Sequence, residues 1–249
     1  MLDVDDSAPT AVLSLAHGKV NALDVELLEA MADRLAALAT SQCTALVVTG
    51  RGRVFSAGVD LFRVLDGGED YVDRLITALG RAVQAVFEFP KPVIAAVNGA
   101  AIAGGCAIAA ACDRRIVADE APIGASEVRV GVPMPVAVLE VLRYACGDRA
   151  EAVILSGRLF RGVDAVAHRL ADEVLPATEV LGRAVTVAGD LGGIPGDGYG
   201  LAKQRLRQPV GDRITASTST DAEVRRIWAS PAAAAAMRAS LERTTGRHG

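Results

Sequence analysis

Residues Pro92 to Cys112 run for 21 positions without a charged side chain, and this stretch limits the possible folds of the chain more than any other. A membrane span needs about 20 apolar residues, so length alone would admit one. The content argues against it. Pro92, the turn pair Asn98-Gly99 and the pair Gly104-Gly105 interrupt the run, and much of the remainder is Ala, which drives insertion far less than Leu or Ile. A buried strand, a turn and a buried helix are expected instead.

The rest of the chain can surround such a segment. Of its 249 residues 51% are hydrophobic but only 4% aromatic, so the interior has to be built from Ala, Val and Leu in closely approaching elements, as in a helix-rich α/β fold. Four short apolar runs have strand length: Ala11 to Leu15, Ala45 to Thr49, Val93 to Val97 and Arg115 to Ala118. Helical patterns lie between them. Asp24 can cap a helix to about Ala39 with Leu27, Leu28, Met31 and Leu35 on one face, and a second helix is expected from Glu69 to Phe87. Alternating strands and helices imply right-handed parallel crossovers, with ligands near the carboxyl ends of the strands.

After Pro133 the strand signal fades. Helices are expected at 135–146, 148–156, 162–169, 177–191, 197–207 and 220–243, with Gly192-Gly193-Ile194-Pro195-Gly196 as the break. This divides the chain into an α/β core, 1–191, and a helical C-terminal region, 192–249, packed on the core or on a neighbouring subunit.

A formal net charge of -4 with acids and bases interspersed offers no basic face for nucleic acid. Cys43, Cys106, Cys112 and Cys146 lack zinc-site spacing and are read as reduced core residues. The acidic start Met1-Leu2-Asp3-Val4-Asp5-Asp6 is unlike a signal peptide. A cytoplasmic location is expected.

Two glycine-containing loops follow predicted strands: Phe55-Ser56-Ala57-Gly58-Val59-Asp60-Leu61 and Asn98 to Cys106. Gly104 and Gly105 allow close approach to the backbone where a helix should begin, and free N–H groups at a helix start favour negative charge. One N–H from each loop would make an oxyanion hole. Singly, each loop reads better as a tight turn packed against the sheet.

Together they resemble the crotonase (enoyl-CoA hydratase/isomerase) superfamily. Lys19-Val20-Asn21-Ala22-Leu23 is similar to its segment before the first helix, and Phe55 to Leu61 to its Ala-Gly-x-Asp-Leu loop. Ala95 to Asp113 resembles its Asn-Gly, Gly-Gly-Cys and Cys-Asp series, and Glu127 to Gly131 its Glu-x-x-x-Gly step. The resemblance implies a crotonase-like fold of parallel strands and crossover helices, an acyl-CoA thioester substrate, no cofactor beyond the coenzyme A of that substrate, and a homotrimer or dimer of trimers. It also implies that the backbone N–H groups of Ala57 and Gly104 hold the thioester oxygen, and that Gly18, Lys19, Val20, Asp60 and Leu61 lie along the coenzyme A moiety.

Hydratases of this superfamily commonly carry two glutamates. Here the first position is Ala107, and the second is kept as Glu127. Adding water requires activating a water and protonating the α-carbon, which one carboxylate does poorly. Moving a double bond from the 3,4 to the 2,3 position needs only one base that takes a proton from C2 and returns it to C4. The pattern most resembles the Δ3,Δ2-enoyl-CoA isomerases, with Glu127 as base and proton carrier. A hydratase relying on Glu127 and a non-catalytic acyl-CoA binding protein are the rival readings.

Other residues read more blandly. Asp60 and Asp113 brace local backbone; His17, His168 and His248 serve no visible nucleophile and no metal spacing. Arg129 is a surface or subunit-contact charge. Lys203, Arg205 and Arg207 form a solvated helix face or meet coenzyme A phosphates.

Overall fold

The computed structural model describes residues 1–195, 197–217 and 221–245. Gly196, Thr220 and His248 lie outside the described residues.

All four predicted strands are present, with five more: β1 (Leu2–Asp5), β2 (Thr10–Leu15), β3 (Ala45–Gly50), β4 (Val54–Ser56), β5 (Val93–Val97), β6 (Ala100–Ile102), β7 (Arg114–Ala118), β8 (Ile123–Gly124) and β9 (Glu173–Leu175). The larger sheet has the order β1-β2-β3-β5-β7-β9, parallel except for β1, which lies antiparallel on β2. β3 and β5 are buried at every position, as strands covered on both faces must be. A smaller parallel sheet has the order β4-β6-β8.

The two sheets are one repeated design. Each strand of the smaller sheet follows a strand of the larger after a short bend, β4 after β3, β6 after β5 and β8 after β7, and the lateral order is the same in both. The chain therefore makes three successive passes, and each pass ends at the carboxyl end of a small-sheet strand. The short strands β4, β6 and β8 have two or three residues, too few for a period-two signal, so the sequence did not announce them.

The helices are α1 (Val25–Ala39), α2 (Leu61–Phe87), α3 (Gly104–Ala111), α4 (Val136–Cys146), α5 (Ala150–Ser156), α6 (Gly162–Ala167), α7 (Ala177–Gly192), α8 (Gly198–Ser217), α9 (Asp221–Trp228) and α10 (Pro231–Thr245). Asp24 caps α1 by accepting the Leu27 N–H, 2.8 Å, and Leu27, Leu28, Met31 and Leu35 are all buried. α2 begins at Leu61, where Asp60 caps it, but it is interrupted at Gly68, whose backbone is not helical (φ 64°, ψ -156°), so the expected helix from Glu69 to Phe87 is its longer second part. The expected 220–243 helix is two helices, since Ser230 caps a new one through the Ala233 N–H and Pro231 takes its first position. The 197–207 helix continues through Pro209 to Ser217.

The charge-free stretch becomes β5, β6 and α3, with α3 buried at every residue. Among the described residues no helix is long and apolar enough to cross a membrane. All four cysteines are free and buried. α7 lies on the sheet against β3, β5 and β7, α8 packs on α4, and α10 packs on α2 and on the 3₁₀ turn Glu127–Val130. The alanine run Ala232 to Ala236 permits that approach: a β-carbon on Gly131 would stand 3.5 Å from the Ala236 methyl.

Candidate active site

The three passes deliver three segments to one place. Beyond β4 comes Ala57-Gly58-Val59, beyond β6 comes Ala103-Gly104, and beyond β8 comes Ser126-Glu127.

In the first segment nearly every backbone donor is occupied. The Ala57 N–H donates to the Val20 carbonyl (3.0 Å), the Gly58 N–H to the Ser56 Oγ (3.2 Å), and the Asp60 N–H to the Leu23 carbonyl (2.9 Å), while the Leu23 N–H donates to the Gly58 carbonyl (2.8 Å). Val59 alone among them keeps a backbone N–H with no acceptor among the described residues. The sequence-based choice of Ala57 as an oxyanion donor is therefore corrected. Its N–H is consumed in holding the Gly18–Val20 turn, and the free donor of this loop is two residues further on.

Gly104 opens α3, where N–H groups lack intrahelical acceptors, and the residue before it provides no side-chain cap. A β-carbon on Gly104 would lie 2.9 Å from Leu23 Cδ1, 3.6 Å from Leu79 Cδ1 and 3.7 Å from Val59 Cγ2, so Gly104 sits directly against the residue bearing the other free donor. A β-carbon on Gly105 would lie 2.6 Å from the Ser56 carbonyl oxygen. Only glycine allows the two loops to approach this closely.

Two asparagines hold the first loop from behind. Asn21, itself in the left-handed region (φ 49°), donates through Nδ2 to the carbonyls of Val54 (2.9 Å), Arg51 (3.2 Å) and Phe55 (3.3 Å). Asn98 donates to the carbonyls of Gly50 (2.8 Å) and Gly52 (2.9 Å) and accepts from the Gly50 N–H (3.1 Å). Single amides in turn-prone sequence gave no hint of this shared grip.

Glu127 is the first residue of the 3₁₀ turn Glu127–Val130, closed by Gly131 in the left-handed conformation (φ 75°). It is 6% exposed, and its Oε2 is buried with no hydrogen-bond partner among the described residues. Burial raises its pKa to about 7, opposed only by its own backbone N–H. Its charge is felt by the Cys106 thiol in the first turn of α3, whose pKa is raised by burial, by Cys146 and by Glu127. The next residue, Ala107, is fully buried and carries no carboxylate. The other buried acids are all engaged: Asp24 with His17 (2.7 Å) and Arg63 (2.8 Å), Glu140 with Arg143 and Arg213 (2.6 Å each), and Asp221 with the Val136 N–H (2.9 Å).

Gly18 (φ 63°), Lys19 and Val20 form an exposed turn beside this site, tied to it through the Val20 carbonyl. Asp60 braces local backbone, accepting from the N–H groups of Phe62 (3.0 Å) and Arg63 (3.2 Å) as the cap of α2, of which Leu61 is the first residue. His17, for which no role was expected, hydrogen-bonds Asp24, which also pairs with Arg63, at the starts of α1 and α2. Arg129 is exposed and donates to the carbonyls of Ser156 and Gly157.

Lys203 and Arg207 are corrected. Both are buried and pair with Asp113 (2.8 and 2.7 Å), so neither lies on a solvated face nor is free to meet a phosphate; Arg205 is exposed.

Comparison with known proteins gives the chain a family. Residues 7–244 match the family model described as enoyl-CoA hydratase/isomerase. A putative enoyl-CoA hydratase of Thermus thermophilus is 37% identical over 147 residues, which is 58% of this chain and 58% of that protein. The match thus spans little more than half the length of that relative. Human mitochondrial enoyl-CoA delta isomerase 1 is 28% identical over 91% of this chain and 76% of its own. The crystal structure of human mitochondrial delta3-delta2-enoyl-CoA isomerase superposes with a TM-score of 0.92 at 25% identity, covering 100% of this chain and 99% of that one. Family match, fold and the meeting of three loops together assign this chain to the enoyl-CoA hydratase/isomerase family.

Proposed function

We propose that this protein isomerises 3-enoyl-CoA to 2-enoyl-CoA thioesters. The observation that carries the reading is Glu127: a buried carboxylate with an oxygen that has no hydrogen-bond partner among the described residues, in a chain that carries Ala107 where hydratases of the family commonly have a second glutamate. The ionised Glu127 removes a proton from C2. The electrons delocalise into the thioester carbonyl, whose oxygen accepts hydrogen bonds from the backbone N–H groups of Val59 and Gly104. As the double bond forms between C2 and C3, C4 takes the proton back from Glu127. The proton count closes on one substrate and one carboxylate, so the reaction needs no second cofactor.

Burial suits Glu127 to this task. A base whose pKa is near 7 is about half ionised at neutral pH and is stronger than an exposed carboxylate. Likeness to isomerases of the family adds support. In the same reading the Gly18–Val20 turn, Asp60 and Leu61 border the coenzyme A moiety, residues 192–249 form a helical region closing over α2 and the Glu127 turn, and the chain assembles as a trimer or dimer of trimers in the cytoplasm, which suits its free buried thiols.

The test is an assay of 3-enoyl-CoA isomerisation beside water addition to a short 2-enoyl-CoA. Isomerisation at least tenfold faster is expected. Hydration as fast as isomerisation would favour the hydratase reading, and tight acyl-CoA binding with neither reaction would favour a binding protein.

A further inference from the structure

Ala103 holds a backbone conformation, φ 52° and ψ -118°, that glycine adopts readily and alanine does not. Only three non-glycine residues among the described ones have positive φ, and the other two, Asn21 and Arg169, lie in turns away from a helix start. A strained conformation persists only where its surroundings fix it, and here they do so from several sides. The Ala103 N–H donates to the Gly124 carbonyl (2.8 Å), at the end of the strand that leads to Glu127. Its carbonyl accepts the Ala107 N–H (3.0 Å), which starts α3. Its methyl faces Gly58: a β-carbon built there would lie 3.2 Å from that methyl and 2.7 Å from the Ile102 carbonyl oxygen.

We infer that Ala103 is a positioning residue, whose strained backbone and methyl group fix the Val59 and Gly104 donors relative to each other and to Glu127. All three passes meet at it: the first through its methyl against Gly58, the second by covalent neighbourhood, and the third through its N–H to Gly124, two residues before Ser126-Glu127. Glycine at this position would keep both hydrogen bonds and relax the strain, but would leave a gap against Gly58 and allow the Ala103–Gly104 peptide to rotate. Fold and catalysis should therefore respond in opposite directions, which a residue needed only for packing would not produce.

The inference rests on the isomerase reading, and the variants Ala103→Gly and Ala103→Ser separate the two. The wild-type chain is first assayed on 3-enoyl-CoA; absence of turnover there would overturn the functional reading and the inference with it. With an active wild type, Ala103→Gly is expected to keep or raise the thermal midpoint, to lower kcat at least tenfold, and to leave KM within about threefold. Ala103→Ser keeps a β-carbon at a partly exposed position and is expected to recover kcat to within about threefold of wild type. A glycine variant with kcat within twofold of wild type would overturn the inference while leaving the isomerase reading intact. A glycine variant whose thermal midpoint falls by several degrees in step with its activity would also overturn it, by showing that the methyl serves the fold alone.

Discussion

Two acidic sites in this molecule, part-buried Asp113 and buried Glu127, are built on opposite principles. Asp113 is fully engaged: Lys203 and Arg207 pair with its two oxygens, the Val93 N–H donates to it (2.7 Å), and Arg207 also donates to the Phe87 carbonyl while stacking 4.2 Å from the Phe87 ring centroid. This cluster pins α8 to the ends of β5 and α3. Glu127, at the end of the third pass, has no cation paired with it among the described residues and an oxygen with no partner among them. A satisfied buried carboxylate is a fastener, whereas an unsatisfied one is held at a cost that the proposed catalytic role would account for.

The sharpest way to test this contrast is to neutralise the lone acid. Glu127→Gln should lower kcat for isomerisation by about 10²–10⁴-fold, the usual worth of a general base, with thioester affinity within about tenfold of wild type by calorimetry. Turnover mostly retained would remove Glu127 from the reaction.

Removing the fastener should act on stability instead. Asp113→Ala leaves Lys203 and Arg207 buried without their counter-charge, which should cost about 3–5 kcal/mol in urea unfolding. The change should not alter KM of the folded fraction. A loss below about 1 kcal/mol would mean that α8 docks by apolar contact alone.

A somewhat smaller effect is the pH dependence of Glu127. Its folded pKa, about 7, lies above its ordinary value of 4.5, so between those limits the folded state binds more protons than the unfolded one. Stability should therefore fall as pH rises from about 4.5 to about 7, by on the order of 3 kcal/mol for the full shift. The fall should be absent in Glu127→Gln. Activity should run the other way, with kcat/KM rising through an apparent pKa near 7 as the base ionises. A wild type and a Gln variant with the same stability profile would mean that Glu127 is not buried in solution.

The smallest effect expected is a gain. Ala107→Glu puts a second carboxylate one helical turn beyond Gly104 and should introduce slow hydration of a short 2-enoyl-CoA, some loss of stability accompanying the buried charge. The rate should stay far below that of isomerisation, since the surroundings were not shaped to hold a water. A folded Ala107→Glu variant without detectable hydration would show that the missing carboxylate is not what separates this site from a hydratase.

Much of this was legible in the chain itself. The charge-free stretch, the capped amphipathic pattern from Asp24 to Ala39 and the four long strands fixed an α/β fold, because burial and periodicity are local properties of sequence. Resemblance to the family's two-glutamate pattern singled out Glu127 and Ala107 as the pair on which the proposed chemistry turns. What only tertiary structure decided was which groups are left without partners. Ala57 and Val59 are equivalent as sequence, and Val59 becomes the free donor because the Val20 carbonyl, some 40 positions earlier in the chain, takes the Ala57 N–H. Lys203 and Arg207 look like a solvated stripe until Asp113 arrives from the end of α3 to bury them. Hydrogen-bond satisfaction is a property of neighbours in space, and the neighbours that decide it here come from other passes of the chain.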